Sequence, residues 1–216
     1  KHTGAMRRAR PEGRPDPSGT AAGPAGLASG AMHFAWEQLT ASVHRCRLPF
    51  CDVTIGLVVG RAGALLVDTG TTLTEAAAVN ADVYGLTGRT VTHIALTHKH
   101  FDHILGSSFF GAADIYCAPE VAAEIQSGTR HLRDDAVRHG ADPVQVDRAI
   151  AALRPPRHVT REAVVDLGDR AVTITQPGRG HTTDDLVVVA PPSDDADPVV
   201  VFTGDLVEES ADPAID

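Results

Sequence analysis

Short runs of β-branched and apolar residues, broken by glycine and aspartate, recur along most of the chain after residue 50. The runs VTIGLVV at 53–59 and ALLVD at 64–68 flank a glycine-containing turn, which predicts a hairpin. A second hairpin is predicted by AVVDL at 163–167 and RAVTITQP at 170–177, around Gly168. Further strands are predicted at 90–97, 114–118, 186–191 and 199–205. The last two are apolar throughout, which is typical of strands buried on both faces.

Helical patterns lie between these strands. Residues 72–86 are rich in alanine, begin with a threonine cap and an acidic first turn, and end before Gly88, which predicts a helix. Further helical segments are predicted at 119–126 and, with an interruption near residues 140–143, at 130–154. Two sets of strands with helices between them predict an α/β fold of four layers, αββα, with two sheets face to face and helices outside.

The length of 216 residues indicates one folded domain. Residues 1–31 are rich in Arg, Pro, Gly and Ala and cannot build a core, which predicts a flexible N-terminal extension before a domain at 32–216. The formal net charge is −9, and the extension is locally basic. The acidic remainder argues against nucleic acid as a partner, because phosphate binding needs clustered cations.

The cysteines indicate a reducing compartment. There are three of them, Cys46, Cys51 and Cys117, without Cys-x-x-Cys spacing, so a disulfide framework is not expected, although Cys46 and Cys51 could pair across a short loop. No apolar run approaches the roughly 20 residues needed to cross a bilayer. These features predict a cytoplasmic protein that does not act at membranes.

The stretch THKHFDH at 97–103 carries the strongest chemical signal. Alternate residues of an extended segment share a face, so His98 and His100 can address one ion. A turn at Phe101 would let Asp102 and His103 address a second position nearby. Imidazole and carboxylate ligands suit zinc, and also iron or manganese. A metal centre is therefore a better interpretation than a solvated loop, because polar groups at the end of a buried strand are costly unless something satisfies them.

Two more potential ligands lie later in the chain. His181 follows a predicted strand within GRGHTTDD, and Asp205 ends the apolar run VVVFTGD. The pattern leaves open whether the following acids, Asp184 and Asp185, cap the next strand or narrow a pocket. The other histidines are weaker candidates: His93 is interpreted as a packed core residue, and surface positions are expected for His131, His139 and His158.

Four motifs together, VDTG at 67–70, THKHFDH at 97–103, GHT at 180–182 and TGD at 203–205, resemble the metallo-β-lactamase-fold hydrolase superfamily. The resemblance spans roughly residues 38–212 and implies an αββα sandwich with a metal site at one edge of the sheets. It implies that a first metal is held by His98, His100 and His181. A second metal would be held by Asp102 and His103, with Asp205 bridging the two ions. Asp68 is implied to steady a loop that carries ligands.

One feature departs from the family pattern, which has a further histidine on a later strand. No histidine follows His181 here, so we expect a domain that is incomplete at its C-terminus. A missing strand would leave one sheet edge unpaired, which makes a homo-oligomer possible.

The resemblance also implies the reaction. A zinc-bound hydroxide would attack a small-molecule substrate, and Asp102 would orient it or pass a proton. Some β-lactamase subclasses have Cys or Ser where this chain has Asp205, which favours the thioesterase, lactonase and phosphodiesterase branches. The expected protein is a hydrolase with two zinc ions that cleaves a small ester, thioester, lactone or lactam. The alternative is a mononuclear iron oxygenase resembling persulfide dioxygenases. The helical region at 119–154 is expected to form a specificity wall.

Overall fold

The computed structural model describes residues 32–194 and 196–208, so the extension predicted at 1–31 lies outside the described residues. A seven-stranded sheet has the strand order β1-β2-β3-β4-β5-β6-β7. Neighbouring strands are antiparallel from β1 to β4 and parallel from β4 to β7. The strands are β1 Trp36–Thr40, β2 Val43–Arg47, β3 Thr54–Val59, β4 Ala64–Val67, β5 His93–Ala95, β6 Asp114–Cys117 and β7 His158–Val159.

A second, four-stranded sheet is antiparallel throughout and has the order β11-β10-β9-β8. Its strands are β8 Glu162–Asp166, β9 Ala171–Thr175, β10 Val187–Ala190 and β11 Val200–Phe202. Both predicted hairpins are confirmed, as β3–β4 and β8–β9. The strand predicted at 90–97 is shorter than expected, because the chain leaves the sheet after Ala95 to form the histidine-rich loop.

Five α-helices lie within the chain segment that builds the first sheet. They are α1 Leu73–Thr87, α2 Phe101–Ile104, α3 Pro119–Ser127, α4 Thr129–Arg138 and α5 Pro143–Ala152, and short 3₁₀ turns span Leu105–Phe109 and Gly204–Leu206. The α1 prediction is confirmed in detail. Thr72 and Glu75 form a reciprocal capping box at its start, and Gly88 ends it with a φ of 66°.

The fold class is confirmed, since one apolar core joins both sheets and the helices. Within 32–194 and 196–208, no α-helix follows α5, so the fourth layer of the sandwich is not among the described elements. The outer face of the second sheet is correspondingly open, with Val164 66% and Val201 49% exposed. The prediction that the run at 199–205 is buried on both faces is therefore wrong for β11.

The first two strands escaped the sequence analysis because polar residues interrupt both of them. Their entry is fixed by Asp82 of α1, a buried residue whose carboxylate accepts hydrogen bonds from the backbone N–H groups of His33 and Phe34 at 2.8 and 2.9 Å. The same carboxylate accepts from the Trp36 Nε1–H at 3.1 Å. Contacts across 46 or more residues have no local sequence signal.

Several smaller expectations can also be compared with the structure. The three cysteines are free, with Cys46 and Cys117 buried and Cys51 exposed. His93 is half-buried and contacts the Thr92 hydroxyl at 2.9 Å, so it is not the core residue that was expected. In the described part of the chain, no helix is both long and apolar enough to span a membrane.

Candidate metal centre

The predicted site residues meet at one edge of the two sheets. Four loops reach this edge: those after β4 and β5, the loop that precedes β10, and the turn after β11. The main chain ties two of them together, because Leu186 N–H, at the end of the His181 loop, donates to the Thr97 carbonyl at 2.8 Å. Residues separated by more than 80 positions are thereby placed side by side.

Three histidine nitrogens converge on one point. His100 Nδ1 lies 3.0 Å from both His98 Nε2 and His181 Nε2. Asp205 Oδ2 lies 3.8 Å from each of those two Nε2 atoms, and one ligand atom from each of the four residues falls within 4.8 Å of the others. Donors in a zinc tetrahedron with bonds of about 2.1 Å are about 3.4 Å apart. The donor set fits a metal ion, since three imidazole nitrogens and a carboxylate oxygen within this distance of one another are ligands that zinc takes.

His103 and Asp102 adjoin this group without joining it. His103 Nε2 lies 3.3 Å from Asp205 Oδ2 and 3.8 Å from Asp102 Oδ2. It is buried and makes no hydrogen bond to any part of the chain that the structure describes. An orphaned imidazole nitrogen between two carboxylates fits a second metal position, with Asp205 adjoining both.

Asp68 organises the loop from behind. Its side chain is 1% exposed, and Oδ2 accepts hydrogen bonds from His103 Nδ1 at 2.9 Å and from the Thr97 hydroxyl at 2.8 Å. Oδ1 accepts from Thr97 N–H at 2.8 Å. Because Asp68 accepts the hydrogen bond from Nδ1, Nε2 is the nitrogen of His103 that faces the site. Thr69 adds a second tie by donating its hydroxyl to the His103 carbonyl at 2.8 Å.

Gly204 allows Asp205 to approach the centre. The glycine has a φ of 54°, and a Cβ atom at this position would lie 2.7 Å from the Thr97 hydroxyl oxygen. A larger residue would push the turn away from Thr97 and withdraw the carboxylate. The TGD motif therefore has a steric basis.

Charges inside the centre shift its pKa values. Burial, reinforced by the neighbouring His103 ring, holds the pKa of His98 well below its usual value. Burial also opposes protonation of His103, but the Asp68 and Asp102 carboxylates outweigh it and hold the His103 pKa well above its usual value. Burial would raise the pKa of Asp205, and the adjacent His103 turns the net shift downward. A bound cation would displace the proton that His103 carries in the metal-free protein.

The His181 loop is held by its own acids. Asp185 accepts hydrogen bonds from Thr182 N–H at 2.8 Å and from the Thr182 hydroxyl at 2.9 Å. Asp184 is buried as well, and its N–H donates to the Thr182 hydroxyl at 3.1 Å. The Asp185 carboxylate therefore supports the loop, whereas the Asp184 carboxylate only accepts from the Thr183 hydroxyl at 3.5 Å. Neither acid lines the cavity beside the site, so the pocket-narrowing role that the sequence left open is not seen.

A relay of polar side chains supports the same loop from outside. Glu120 Oε1, at the start of α3, accepts from Arg161 Nη2 at 2.5 Å, and Arg161 Nη1 donates to Gln176 Oε1 at 2.9 Å. Gln176 Nε2 then donates to the Thr183 carbonyl at 2.8 Å, two residues from His181. Helix α3 is thus connected to the loop that carries a predicted ligand.

Replacing Gln176 with leucine should weaken metal binding about 10-fold, because partners that orient ligands typically contribute 10- to 100-fold in affinity. Competition with a chromophoric chelator measures the affinity, and the visible spectrum of the cobalt-loaded protein reports the histidine geometry. Gln126→Leu, at an exposed position near the end of α3, is the matched control. Unchanged affinity and spectrum in Gln176→Leu would show that the loop keeps its position without the relay.

Sequence reasoning missed Glu208, whose Oε1 lies 3.5 Å from His181 Nδ1. It also missed the two threonines Thr69 and Thr97, which bond to the ligand loop and its anchor. The threonines belong to recognised motifs, so the motifs were the available signal. Glu208 has no such signal.

The surface positions expected for His131, His139 and His158 are confirmed, with side chains 68%, 54% and 42% exposed.

Comparison with known proteins identifies the family. The profile of the metallo-beta-lactamase superfamily matches residues 48–216, and the chain belongs to this superfamily. A comparison with curated proteins gives no match.

Solved structures with the same fold include subclass B3 metallo-beta-lactamases. One is MEM-A1 from a soil metagenome library, 20% identical with a TM-score of 0.56 over 77% of this chain and 60% of that one. Another is described as the first B3 enzyme with an active-site glutamic acid, 19% identical with a TM-score of 0.59 over 78% and 61%. A structure described only as the metallo-beta-lactamase DIM-1, exposed to ceftazidime, is 15% identical with a TM-score of 0.53 over 73% and 65%. The chain thus spans about three fifths of the length of these structures, and the similarity establishes the fold.

Proposed function

We propose that the chain is a metal-dependent hydrolase that cleaves a small ester, thioester, lactone or lactam with two zinc ions. The observation that carries the proposal is the convergence of His98 Nε2, His100 Nδ1 and His181 Nε2 beside a shared carboxylate. His98, His100, His181 and Asp205 would hold a first ion. His103 and Asp102 would hold a second ion, with Asp205 adjoining both positions.

When bound, the metal ions supply Lewis-acid polarisation of a substrate oxygen and make water acidic enough to attack at neutral pH. The chain's own groups do the remaining work. Asp102, whose side chain is 14% exposed, orients the attacking water and accepts its proton at the carboxylate. Asp68 and Thr97 keep the His103 ring oriented while charge develops in the site.

The space beside the centre favours a small substrate. A cavity of about 570 Å³ reaches His103 and Asp205, and most of its other walls are side chains of β2, β3 and the segment around β11. This volume is within the range typical of small-molecule sites. The helical region predicted as a specificity wall, 119–154, contributes nothing to the lining of this cavity.

Metal analysis combined with a substrate panel tests the proposal. The purified chain would be loaded separately with zinc and with iron, and metal content would be measured by mass spectrometry. We expect about two zinc ions per chain and hydrolysis of at least one ester, thioester, lactone or lactam. The double variant His98→Ala/His100→Ala provides the background rate.

The alternative, an iron oxygenase, has its own outcome. One iron per chain, oxygen consumption with a persulfide, and no hydrolysis with zinc would favour that reaction. A chain that binds no metal at micromolar concentrations would contradict both functions.

A further inference from the structure

One end of the cavity beside the metal centre carries Arg45 and Arg47, and we call it the cationic end; Asp52 lines the same end, and Glu208 lines the cavity farther along. His103 and Asp205 line the cavity where it meets the centre, and Arg45 and Arg47 line it on β2. The two arginines occupy alternate positions of one strand, so their side chains leave the same face of the sheet. An acidic protein with a net charge of −9 thus places two guanidinium groups in the cavity next to its candidate metal centre.

Strand register fixes where this cationic end lies. Arg45 pairs with Gly56 on β3, and Gly56 pairs with Val67 on β4, directly before Asp68. A Cβ atom on Gly56 would lie 2.5 Å from the Phe202 ring, so this face of the first sheet looks toward β11. Two strand spacings of about 4.8 Å place the Arg45 backbone roughly 10 Å from that of Val67 at the edge of the centre.

The present partners of the arginines can be displaced. Arg45 Nε donates to Glu37 Oε2 at 2.7 Å, and both side chains are more than half exposed. Across residues 32–194 and 196–208, this is the only hydrogen bond of the Arg45 side chain, so its Nη groups keep their donors available. Arg47 pairs with Asp52, and that pair is half exposed as well. Exposed ion pairs contribute little, and an incoming anion competes with them.

The stretch between the two ends is apolar. Val53, Val67, Val200 and Phe202 line it, which suits a hydrocarbon portion of a substrate. A planar guanidinium matches the oxygens of a carboxylate or a phosphate through paired hydrogen bonds.

We propose that the substrate carries an anionic oxyacid group, held by Arg45 with Arg47 beside it, at the end of the cavity away from the bond that is cleaved. This inference rests on the proposed hydrolase function and adds the substrate class. The apolar portion of the substrate lies along Val53 and Phe202, and the scissile bond lies near Asp205.

Paired substrates test the inference. The zinc-loaded chain would be assayed with a neutral alkyl ester and with an ester of similar length ending in a carboxylate. The measured quantity is the ratio of kcat/KM for the acidic ester over the neutral ester. Arg45→Gln should lower this ratio about 10-fold through KM, since a hydrogen bond to a charged group is worth that factor.

A second variant changes the ratio in the opposite direction. Glu37→Gln removes the acid that competes for Arg45, so the ratio should rise about 3-fold or more. Asp52→Asn does the same for Arg47, and asparagine tolerates the positive φ of 59° at that position. The control is Arg133→Gln, because Arg133 pairs with Asp147 on the surface of α4 and α5, outside the cavity lining.

The outcomes separate the two proposals. If both Arg45→Gln and Glu37→Gln keep the wild-type ratio of kcat/KM within the assay error, the anionic-substrate inference is overturned. Hydrolysis of either ester by the wild-type chain still leaves the hydrolase proposal standing. A longer spacer between ester and carboxylate should increase the preference for the acidic ester over the neutral one, and a two-carbon spacer should abolish it. Hydrolysis of neither ester by the wild-type chain overturns the substrate inference, and the hydrolase proposal is then decided by the thioesters, lactones and lactams of the panel.

Discussion

Replacing Asp205 with alanine should lower turnover by at least about 100-fold, because metal charge and nucleophile position are both lost. Asp205 Oδ2 lies 3.8 Å from two of the converging histidine nitrogens and 3.3 Å from His103 Nε2. It is the carboxylate that adjoins both proposed metal positions. Its removal should therefore also reduce the zinc content below two ions per chain.

The measurements are kcat on the best substrate of the panel and zinc content after gel filtration. Asp205→Asn keeps the shape of the side chain but not its charge, so a similar loss in both variants assigns the effect to the charge. Asp134→Ala, an exposed acid of α4 whose side chain is 57% exposed, is the control. Asp205→Ala with wild-type turnover and two zinc ions would contradict a bridging role.

The part of the site that sequence could predict is the part encoded by short spacing. His98, His100, Asp102 and His103 lie within six consecutive positions, and alternation along an extended segment followed by a turn is enough to group them. His181 and Asp205 came from motifs that matched a family, since no local rule brings residues 81 positions apart to 3.0 Å. The structure brings the six residues to one edge of the two sheets, while their roles as ligands stay predictions.

Elements stabilised by distant contacts were the ones missed. Strands β1 and β2 contain Glu37, Arg45 and Arg47, whose charges mask the apolar alternation. The entry to β1 depends on Asp82, which accepts hydrogen bonds from His33 and Phe34 across nearly 50 residues. The cationic end of the cavity was missed for the same reason, because Arg45 becomes a candidate only after register places its strand two strands from β4.

Replacing Asp68 with alanine should produce the second large effect, on folding as well as on metal binding. Asp68 accepts three hydrogen bonds while 1% exposed, and one of them comes from His103. Removing one partner of such a buried charged pair typically costs about 3–5 kcal/mol. Alanine also tolerates the φ of 61° poorly, which adds backbone strain in the same loop.

Asp68→Asn separates the two consequences. Asparagine tolerates the positive φ and keeps an oxygen for Thr97 N–H, so the loss of folding free energy should be clearly smaller than with alanine. The amide is uncharged, however, and it holds His103 less firmly, so zinc affinity should fall about 10- to 100-fold in both variants. Urea unfolding of the metal-free proteins gives the first quantity, and chelator competition gives the second. The control is Asp166→Ala, which removes an exposed carboxylate that accepts from Gly168 N–H at 2.7 Å. It should change neither the free energy of unfolding nor the zinc affinity by much. Zinc affinity that stays at the wild-type value in Asp68→Asn would show that the carboxylate stabilises the fold without orienting His103.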